Sequence, residues 1–296
     1  MFDVIVVGGG PAGLSAALML GRCRRSVLVC DAGAPRNQRS RALHGYLTRD
    51  GIAPSEFNAL GRGELAPYGV EFRPVSVRDA RPRDAGFDVS LADANTERAR
   101  FLLIATGVAD DLPAIDGLSE CYGLSVFHCP YCDGWEWRDR RIAVVGRGRH
   151  GGALALSLRT WSADVLLCTN GRRVPKEAAG RLARHDITVD ARRIARLEHK
   201  RGMLRAVAFG DGAAIDRDVV FFSSSEHPQC DLAVNLGCIF NSRGTVDTGR
   251  MCETNVPGVF VAGDASKDAQ FVVVAAAEGI KAAIAINEAL QREETK

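Results

Sequence analysis

The chain has 296 residues, of which 46% are hydrophobic and 25% are charged, and its formal net charge is +2. This balance excludes a disordered chain, and the small net charge without blocks of like charge predicts neither nucleic-acid nor membrane-surface binding. The length predicts about two domains of roughly 150 residues each. We find no basic leader with a cleavage site and no apolar run near the roughly 20 residues of a membrane span, so we expect a soluble, cytoplasmic protein.

The first predicted element is a buried strand followed by a glycine-rich loop, within residues 3–22 (DVIVVGGGPAGLSAALMLGR). The apolar run at residues 4–7 is typical of a parallel strand that is buried on both faces. Gly8, Gly10 and Gly13 then fit the spacing G-x-G-x-x-G, and an Ala- and Leu-rich helix follows. The first glycine permits a tight turn, the second lets the backbone approach a pyrophosphate, and the third lets the helix pack close to the strand.

The next predicted strand, SVLVCDAG, carries an acid near its end. Asp31 lies 31 − 10 = 21 residues after Gly10, where a carboxylate can accept hydrogen bonds from an adenosine ribose. Strand, glycines, helix, strand and acid in this order predict a dinucleotide site. The alternative is a glycine-rich turn without a ligand.

Residues 102–107 (LLIATG) predict a strand that ends in a tight turn, and residues 113–117 (PAIDG) follow as a crossing between domains. We therefore predict one domain in two parts, residues 1–114 and 242–296. A second domain, residues 115–241, would be inserted between them.

The stretch FHCPYCDGWEW, residues 127–137, carries the only two of the nine cysteines whose spacing indicates chemistry. Cys129 and Cys132 could be a redox disulfide, half of a zinc site, or two inert buried thiols. Zinc is disfavoured because no second C-x-x-C or pair of histidines follows at a suitable spacing. On the first turn of a helix the two Cα atoms would lie about 5–6 Å apart, within reach of a disulfide. We expect most of the other cysteines to be reduced and buried.

Residues beside this pair are candidates for proton transfer. An N–H group at a helix start stabilises a thiolate, so Cys129 is the candidate for exchange with substrate. Asp133 can give or take a proton if burial raises the pKa of its carboxyl from the usual value of about 4. His128 is the other candidate, and its alternative role is a structural hydrogen bond. We expect Trp135 and Trp137 to serve in packing.

A second glycine loop follows the predicted strand Ile142–Val145. Gly146, Gly148 and Gly151 repeat the spacing of the first loop. Three bulky residues also stand in this loop, where they would either grip phosphates or fill the site: Arg147, Arg149 and His150.

The strand after the second loop (DVLLCTNG, residues 164–171) does not end in an acid, and Arg172 and Arg173 follow it. A missing acid with arginines nearby favours the 2′-phosphate of NADPH over NADH. The alternative is a Rossmann-like unit that serves only as a scaffold.

Residues 258–290 predict a strand, a Gly-Asp turn and a long Ala-rich helix. The turn would bring Asp264 close to the amides at the start of the helix. A carboxylate in that place is suited to bind a hydroxyl of a polyol.

The order of these landmarks resembles the low-molecular-weight thioredoxin reductases over essentially the whole chain: GGGPAG, ATG, C-x-x-C-D, a second glycine loop, then VAGDA with an Ala-rich helix. The resemblance implies an α/β fold of two Rossmann-like FAD/NAD(P)-binding domains of the three-layer ββα type, the second inserted into the first. It also implies FAD in the first domain, NADPH in the second, a homodimer, and Cys132 as the sulfur that faces the flavin. The NADPH contacts predicted from the second glycine loop and the arginines after the next strand are Gly146, Gly148, Gly151, Arg172 and Arg173. The implied flavin contacts are Gly8, Gly10, Pro11, Ala12, Gly13, Asp31, Thr106, Gly107, Gly263, Asp264 and Gln270, with Asp31 in place of the family's more common glutamate.

A narrower resemblance concerns the stretches DAGAPRN, LHGYLTRDG, HCPYCDGWE and WSADVLLCTNG. These look like a bacterial branch near the gliotoxin- and holomycin-type dithiol oxidases, which pass electrons from a small dithiol through flavin to oxygen. Those enzymes place His after the second cysteine, whereas this chain has Asp133, as thioredoxin reductases do. The G-x-P region of the reductases is altered here to FFSSSEHPQ, with Ser225 where glycine is expected.

The leading hypothesis is an FAD-dependent oxidoreductase in which NADPH drives the reduction of a thioredoxin-like protein or a small disulfide through Cys129 and Cys132. The alternative is an oxygen-dependent dithiol oxidase that forms a disulfide in a small molecule and releases hydrogen peroxide. A third hypothesis is a flavin-bound redox sensor whose disulfide state changes the binding of a partner.

Overall fold

A computed structural model describes residues 1–84, 86–223, 225–266 and 269–295. Its strands are β1 (Phe2–Val7), β2 (Val27–Cys30), β3 (Glu71–Arg73), β4 (Val77–Arg83), β5 (Gly86–Leu91), β6 (Thr96–Ile104), β7 (Val108–Asp110), β8 (Val126–Phe127), β9 (Ile142–Val145), β10 (Val165–Cys168), β11 (Thr188–Asp190), β12 (Ile194–Lys200), β13 (Met203–Phe209), β14 (Ala214–Asp216), β15 (Val219–Phe222), β16 (Glu226–Pro228) and β17 (Val259–Val261). Its helices are α1 (Pro11–Arg22), α2 (Pro54–Gly63), α3 (Leu118–Cys121), α4 (Pro130–Asp133), α5 (Gly148–Leu158), α6 (Lys176–Arg184), α7 (Leu232–Asn235) and α8 (Val272–Glu294), with a short 3₁₀ turn at Ala66–Tyr68.

The chain forms two compact units. The first unit comprises Met1–Gln38, Tyr46–Ala109 and Glu226–Lys296, and the second comprises Arg39–Gly45 and Asp110–Ser225. The sequence-based domain limits, with boundaries at 114/115 and 241/242, stay a prediction. The short segment Arg39–Gly45 belongs to the second unit, which the sequence did not indicate.

The first unit is built on a parallel sheet in the order β3-β2-β1-β6, and β17 pairs in parallel with the second half of β6. β4 and β5 extend the first half of β6 as an antiparallel layer. One face of the sheet packs against α1 and α8, and the other face packs against the β4–β5 layer. The central strands are buried on both faces, which explains why β1 and β2 consist of apolar residues.

The second unit repeats this plan on a smaller scale. Its parallel sheet has the order β11-β10-β9-β15-β8, and a separate antiparallel sheet has the order β12-β13-β14. α5 and α6 cover one face of the parallel sheet, and β12 and β13 contribute to the core on the other face. The predicted α/β class, with two Rossmann-like units, is confirmed.

The predicted elements that carry motifs are also present. β1, β9, β10 and β17 lie where strands were predicted, and α8 is the predicted Ala-rich helix. Each of the glycine loops therefore joins a buried strand to a helix. Among the described residues, no helix combines the length and the apolar character needed to cross a bilayer.

Candidate active site

Cys129 and Cys132 are joined by a disulfide, and their Cα atoms lie 5.3 Å apart. Cys129 is the N-cap residue of α4, and its Sγ accepts a hydrogen bond from the backbone N–H of Cys132 at 3.2 Å. Both cysteines are half-buried. The bond agrees with the interpretation as a redox disulfide rather than with inert thiols or zinc ligands. The N–H group is placed to stabilise a thiolate on Cys129 after reduction.

Asp133 directly follows the disulfide and titrates near neutral pH. The pKa of its carboxyl is raised from 3.8 to about 7, chiefly by burial; the negative charge of Glu136 adds to the rise and His44 opposes it. His44 Nε2 lies 3.5 Å from Glu136 Oε1. Burial therefore supplies the shift that proton transfer by Asp133 requires. Sequence reasoning missed His44, because this residue reaches the second unit through the separate segment Arg39–Gly45.

His128 directly precedes Cys129 in the sequence and contacts two polar side chains. Its Nδ1 lies 3.3 Å from Tyr122 Oη and 3.9 Å from Asp110 Oδ2. Tyr122 Oη also donates to Asp110 Oδ2 at 2.8 Å, and the imidazole packs edge-on against Phe222. These contacts favour the structural role for His128 over proton transfer.

The two tryptophans after the disulfide have different environments. Trp137 packs against Phe127, with ring centroids 6.2 Å apart, so its predicted packing role is confirmed. Trp135 is 64% exposed, with the guanidinium of Arg138 4.2 Å from its ring centroid, so the same prediction was wrong there. Of the remaining cysteines, the majority are buried as expected, whereas Cys23 is exposed and Cys230 is half-buried.

The first glycine loop has the geometry of a phosphate cradle. A Cβ on Gly8 would lie 2.4 Å from Ala105 O, and a Cβ on Gly13 would lie 1.9 Å from Gly8 O. Neither site has room for a side chain. A Cβ on Gly10 would meet nothing within 4 Å, and no side chain caps the N-terminus of α1. The open space in front of uncapped N–H groups fits a pyrophosphate.

Asp31 lies beside this loop. Its Oδ1 accepts the N–H of Gly9 at 3.2 Å, and a Cβ on Gly9 would lie 2.8 Å from Asp31 Cγ. Gly9 is thus a further required glycine that the motif did not include. The run of three consecutive glycines, longer than the motif needs, was its signal in the sequence.

The other predicted flavin contacts follow neighbouring strands of the same sheet. Thr106 and Gly107 follow β6, and Gly263 and Asp264 follow β17. Because the carboxyl ends of parallel strands lie along one edge of a sheet, these residues share an edge with the glycine loop and with Asp31, which follows β2. The structure therefore brings together these predicted flavin contacts: Gly8, Gly10, Pro11, Ala12, Gly13, Asp31, Thr106, Gly107, Gly263 and Asp264.

A buried carboxylate supports the turn after β17. Glu278, which is 4% exposed, accepts hydrogen bonds from the N–H of Gly263 and from Ser266 Oγ, each at 2.7 Å. Gly263 has φ +80°, and a Cβ there would lie 3.0 Å from the Cβ of Ala12. Sequence reasoning missed Glu278. Its signal was an acid within the stripe of small residues that packs against α1.

The second glycine loop has the same design. A Cβ on Gly146 would lie 2.6 Å from the Cα of Gly151, whereas a Cβ on Gly148 would meet nothing within 4 Å. Gly148 has φ +55°, in the left-handed region that favours glycine. The bulky loop residues have exposed side chains: Arg147, Arg149 and His150.

The turn after β10 is rich in arginine. Arg172 and Arg173 are exposed there. A Cβ on Gly171 would lie 3.2 Å from Arg193 Cγ, so a third arginine lies beside the same turn. At the end of the strand, the buried Thr169 donates its hydroxyl to the carbonyl of Arg172.

The crowding at Gly13 leads to a prediction. In Gly13→Ala the new methyl would collide with the carbonyl of Gly8, so we expect a loss of about 2 kcal/mol or more in the free energy of unfolding, together with weak FAD binding. Gly10→Ala is the matched comparison, because its methyl enters open space. Chemical unfolding of the apoprotein should find Gly10→Ala near wild type, while FAD titration should find its affinity reduced. Normal FAD affinity in Gly10→Ala would contradict the assignment of the first glycine loop as the site of the FAD pyrophosphate.

Comparisons with known proteins agree with this geometry. The family model described as pyridine nucleotide-disulphide oxidoreductase matches residues 2–279. Thioredoxin reductase tcpT of Claviceps purpurea is 32% identical, over 88% of this chain and 86% of its own. The solved structure of HlmI is 36% identical with a TM-score of 0.95, covering 99% of this chain and 94% of its own. An oxidoreductase from Agrobacterium tumefaciens is 34% identical with a TM-score of 0.92, covering 98% of both chains.

FAD and NADPH are the cofactors of thioredoxin-reductase-like proteins in this family. Gly10 is the N-cap residue of α1 and Gly148 is the first residue of α5, and neither helix start is capped by a side chain. The open space at both glycines fits the pyrophosphate of such dinucleotides. The disulfide in the second unit supplies the remaining redox group. The chain therefore belongs to the pyridine nucleotide-disulphide oxidoreductase family, as a thioredoxin-reductase-like, flavin-dependent disulfide oxidoreductase.

Proposed function

We propose that the protein uses NADPH to reduce a thioredoxin-like protein or a small disulfide through Cys129 and Cys132. The observation that carries this proposal is the half-buried disulfide beside Asp133, a carboxyl with a pKa of about 7. Bound FAD would supply the carrier that passes an electron pair from NADPH to this disulfide. The residues assigned above as flavin and NADPH contacts are part of the proposal, including Gln270, Arg172 and Arg173.

The sulfur chemistry follows from the geometry at the start of α4. Reduction of the disulfide takes up two electrons and two protons and yields the Cys129 and Cys132 thiols. The Cys129 thiolate, stabilised by the N–H of Cys132, attacks the substrate disulfide and releases one substrate thiol. The Cys132 thiolate then attacks Cys129 Sγ, which releases the second thiol and restores the disulfide. Asp133 would hold the proton that enters or leaves at the sulfur of Cys132.

The second glycine loop supports NADPH as the electron donor. Gly148 opens onto free space, and the exposed Arg172 and Arg173 offer guanidinium groups to a 2′-phosphate. The adenosine end of the nucleotide would then lie at the turn after β10.

The second candidate function, an oxygen-dependent dithiol oxidase, is favoured by two departures from the reductase pattern. The exposed side chains of Arg147, Arg149 and His150 stand in the second glycine loop, where backbone would have to meet the phosphates of a nucleotide. Ser225 stands where the G-x-P region of the reductases has glycine, and its Oγ donates to Asp111 Oδ2 at 2.7 Å. In this alternative a small dithiol reduces the Cys129–Cys132 disulfide, and oxygen accepts the two electrons and two protons as hydrogen peroxide.

An anaerobic titration with NADPH, NADH and dithiothreitol tests these functions. We expect NADPH to bleach the flavin absorbance, and we expect Arg172→Gln/Arg173→Gln to raise the KM for NADPH about tenfold or more with little change for NADH. Arg138→Gln, which removes an exposed arginine beside Trp135, is the matched control. A flavin that NADPH leaves coloured contradicts the reductase. Bleaching of the flavin absorbance by a small dithiol, its recovery in air and the release of hydrogen peroxide would together establish the oxidase.

The proposal also includes the assembly and location of the protein. The resemblance to low-molecular-weight thioredoxin reductases supports a homodimer, and we expect a cytoplasmic location. Light scattering of the purified holoprotein should give twice the mass of 31.8 kDa for one chain.

A further inference from the structure

A cluster of four polar side chains lies beside the proposed flavin site in the first unit, and we call it the Arg36 cluster. Arg36 donates through one nitrogen to Asp264 Oδ2 at 3.0 Å and to Gln270 Oε1 at 2.6 Å. Its other terminal nitrogen donates to Glu226 Oε2 at 3.2 Å. Gln270 Nε2 donates in turn to Glu226 Oε1 at 2.5 Å. One guanidinium thus ties together two carboxylates and one carboxamide.

The members of the cluster come from distant parts of the chain. Arg36 lies just before residue 39, where the chain first leaves the first unit, and Glu226 is the residue at which the chain finally returns. Asp264 and Gln270 lie in the segment between β17 and α8. Arg36 and Glu226 stand next to two of the points where the chain passes between the units. Through them, these points are hydrogen-bonded to the proposed FAD contacts Asp264 and Gln270.

The charges in this cluster are partly shielded from water. The side chain of Arg36 is 14% exposed, and those of Glu226 and Asp264 are 27% and 23% exposed. Loss of the guanidinium would leave two carboxylates close together without the cation that lies between them. Such charges interact more strongly here than at a fully solvated surface.

We propose that Arg36 is a positioning residue of the flavin site, which orients the Asp264 carboxylate and the Gln270 carboxamide and, with Glu226, sets the charge that bound FAD experiences. The inference rests on the proposed assignment of Asp264 and Gln270 as FAD contacts. The fork of the guanidinium explains why arginine suits this place, since its two terminal nitrogens donate to three acceptors.

The test combines FAD affinity with the reduction potential of the flavin in the holoprotein. Arg36→Gln should weaken FAD binding about tenfold and lower the potential, because a net negative charge disfavours the addition of electrons. Glu226→Gln should shift the potential in the opposite direction. Arg36→Lys keeps the charge but loses the fork, so it should retain the potential while FAD affinity still falls.

Arg100→Gln is the matched control. Arg100 also joins several carboxylates in the first unit, those of Asp3, Glu293 and Glu294, but Asp3 lies at the start of β1, away from the carboxyl ends of the strands. This variant should lower thermal stability without a change in potential. Potential shifts of the same sign in Arg36→Gln and Glu226→Gln, or no shift in either, would overturn the inference.

Asp264→Asn separates this inference from the function on which it rests. If Asp264→Asn weakens FAD binding while Arg36→Gln leaves affinity and potential unchanged, the site assignment holds and the role of Arg36 is wrong. If Asp264→Asn has no effect on FAD, the assignment of the contact itself fails, and the inference falls with it.

Discussion

Replacement of either Cys129 or Cys132 with serine should lower turnover of a disulfide substrate by roughly 10³-fold or more. The reason is that a hydroxyl cannot form the sulfur–sulfur bond that takes up the electron pair. Reduction of the bound flavin by NADPH should persist, because hydride delivery does not require the sulfurs. Steady-state reduction of a chromogenic aromatic disulfide and anaerobic flavin bleaching measure the two steps separately.

Cys23→Ser is the control for this experiment. Cys23 is a free, exposed thiol in the first unit, so the same chemical change there should leave turnover within about twofold of wild type. A serine variant at Cys129 or Cys132 that retains a large share of the activity would show that electrons reach the substrate without this disulfide.

Asp133→Asn should slow thiol–disulfide exchange by about 10²- to 10³-fold, because the amide can neither give nor take the proton. The pKa of Asp133 is about 7, so the pH dependence of the wild type identifies its role. Disulfide reduction needs the protonated carboxyl and should slow as the pH rises through about 7; dithiol oxidation needs the carboxylate and should accelerate over the same range. Rate profiles of the two half-reactions from acid to alkaline pH provide the measurement, and an unchanged profile in the variant would contradict the assignment.

The same substitution should affect stability in a pH-dependent way. Folding raises the pKa of Asp133 from 3.8 to about 7, so its protonated form stabilises the fold fully below 3.8, and this contribution is lost as the pH rises through about 7. Asparagine carries no charge at any pH. Asp133→Asn should therefore be more stable than wild type by roughly 1–3 kcal/mol above neutral pH. Urea unfolding of the holoprotein below and above neutral pH measures the difference in the free energy of unfolding between the variant and wild type. The same measurement shows whether the variant that has lost activity is still folded.

The glycine loops could be predicted from the sequence because their physics is local. The spacing of Gly8, Gly10 and Gly13 alone determines which position packs tightly and which stays open, and the structure agrees at each of them. The parallel strands followed in the same way from short apolar runs. The disulfide was also within reach of local reasoning, because two cysteines at the start of one helical turn lie at bonding distance.

The surroundings of these motifs could not be predicted, because they depend on tertiary contacts. His44 influences Asp133 only because a short segment of the early chain joins the second unit. Glu278 resembles a surface acid in the sequence, but it is buried under the turn at Gly263. Trp135 differs from its prediction in the opposite direction: it was expected to pack against other residues, but its side chain is largely exposed.

The division of the chain between the units has a consequence for its synthesis on the ribosome. The second unit needs nothing beyond residue 225, whereas the sheet of the first unit lacks β17, and its core lacks α8, until the last part of the chain has emerged. The unit that carries the disulfide is therefore expected to fold before the one that begins the polypeptide. Until then the second half of β6 has an unpaired edge, and a nascent chain arrested before β17 should be unable to retain FAD.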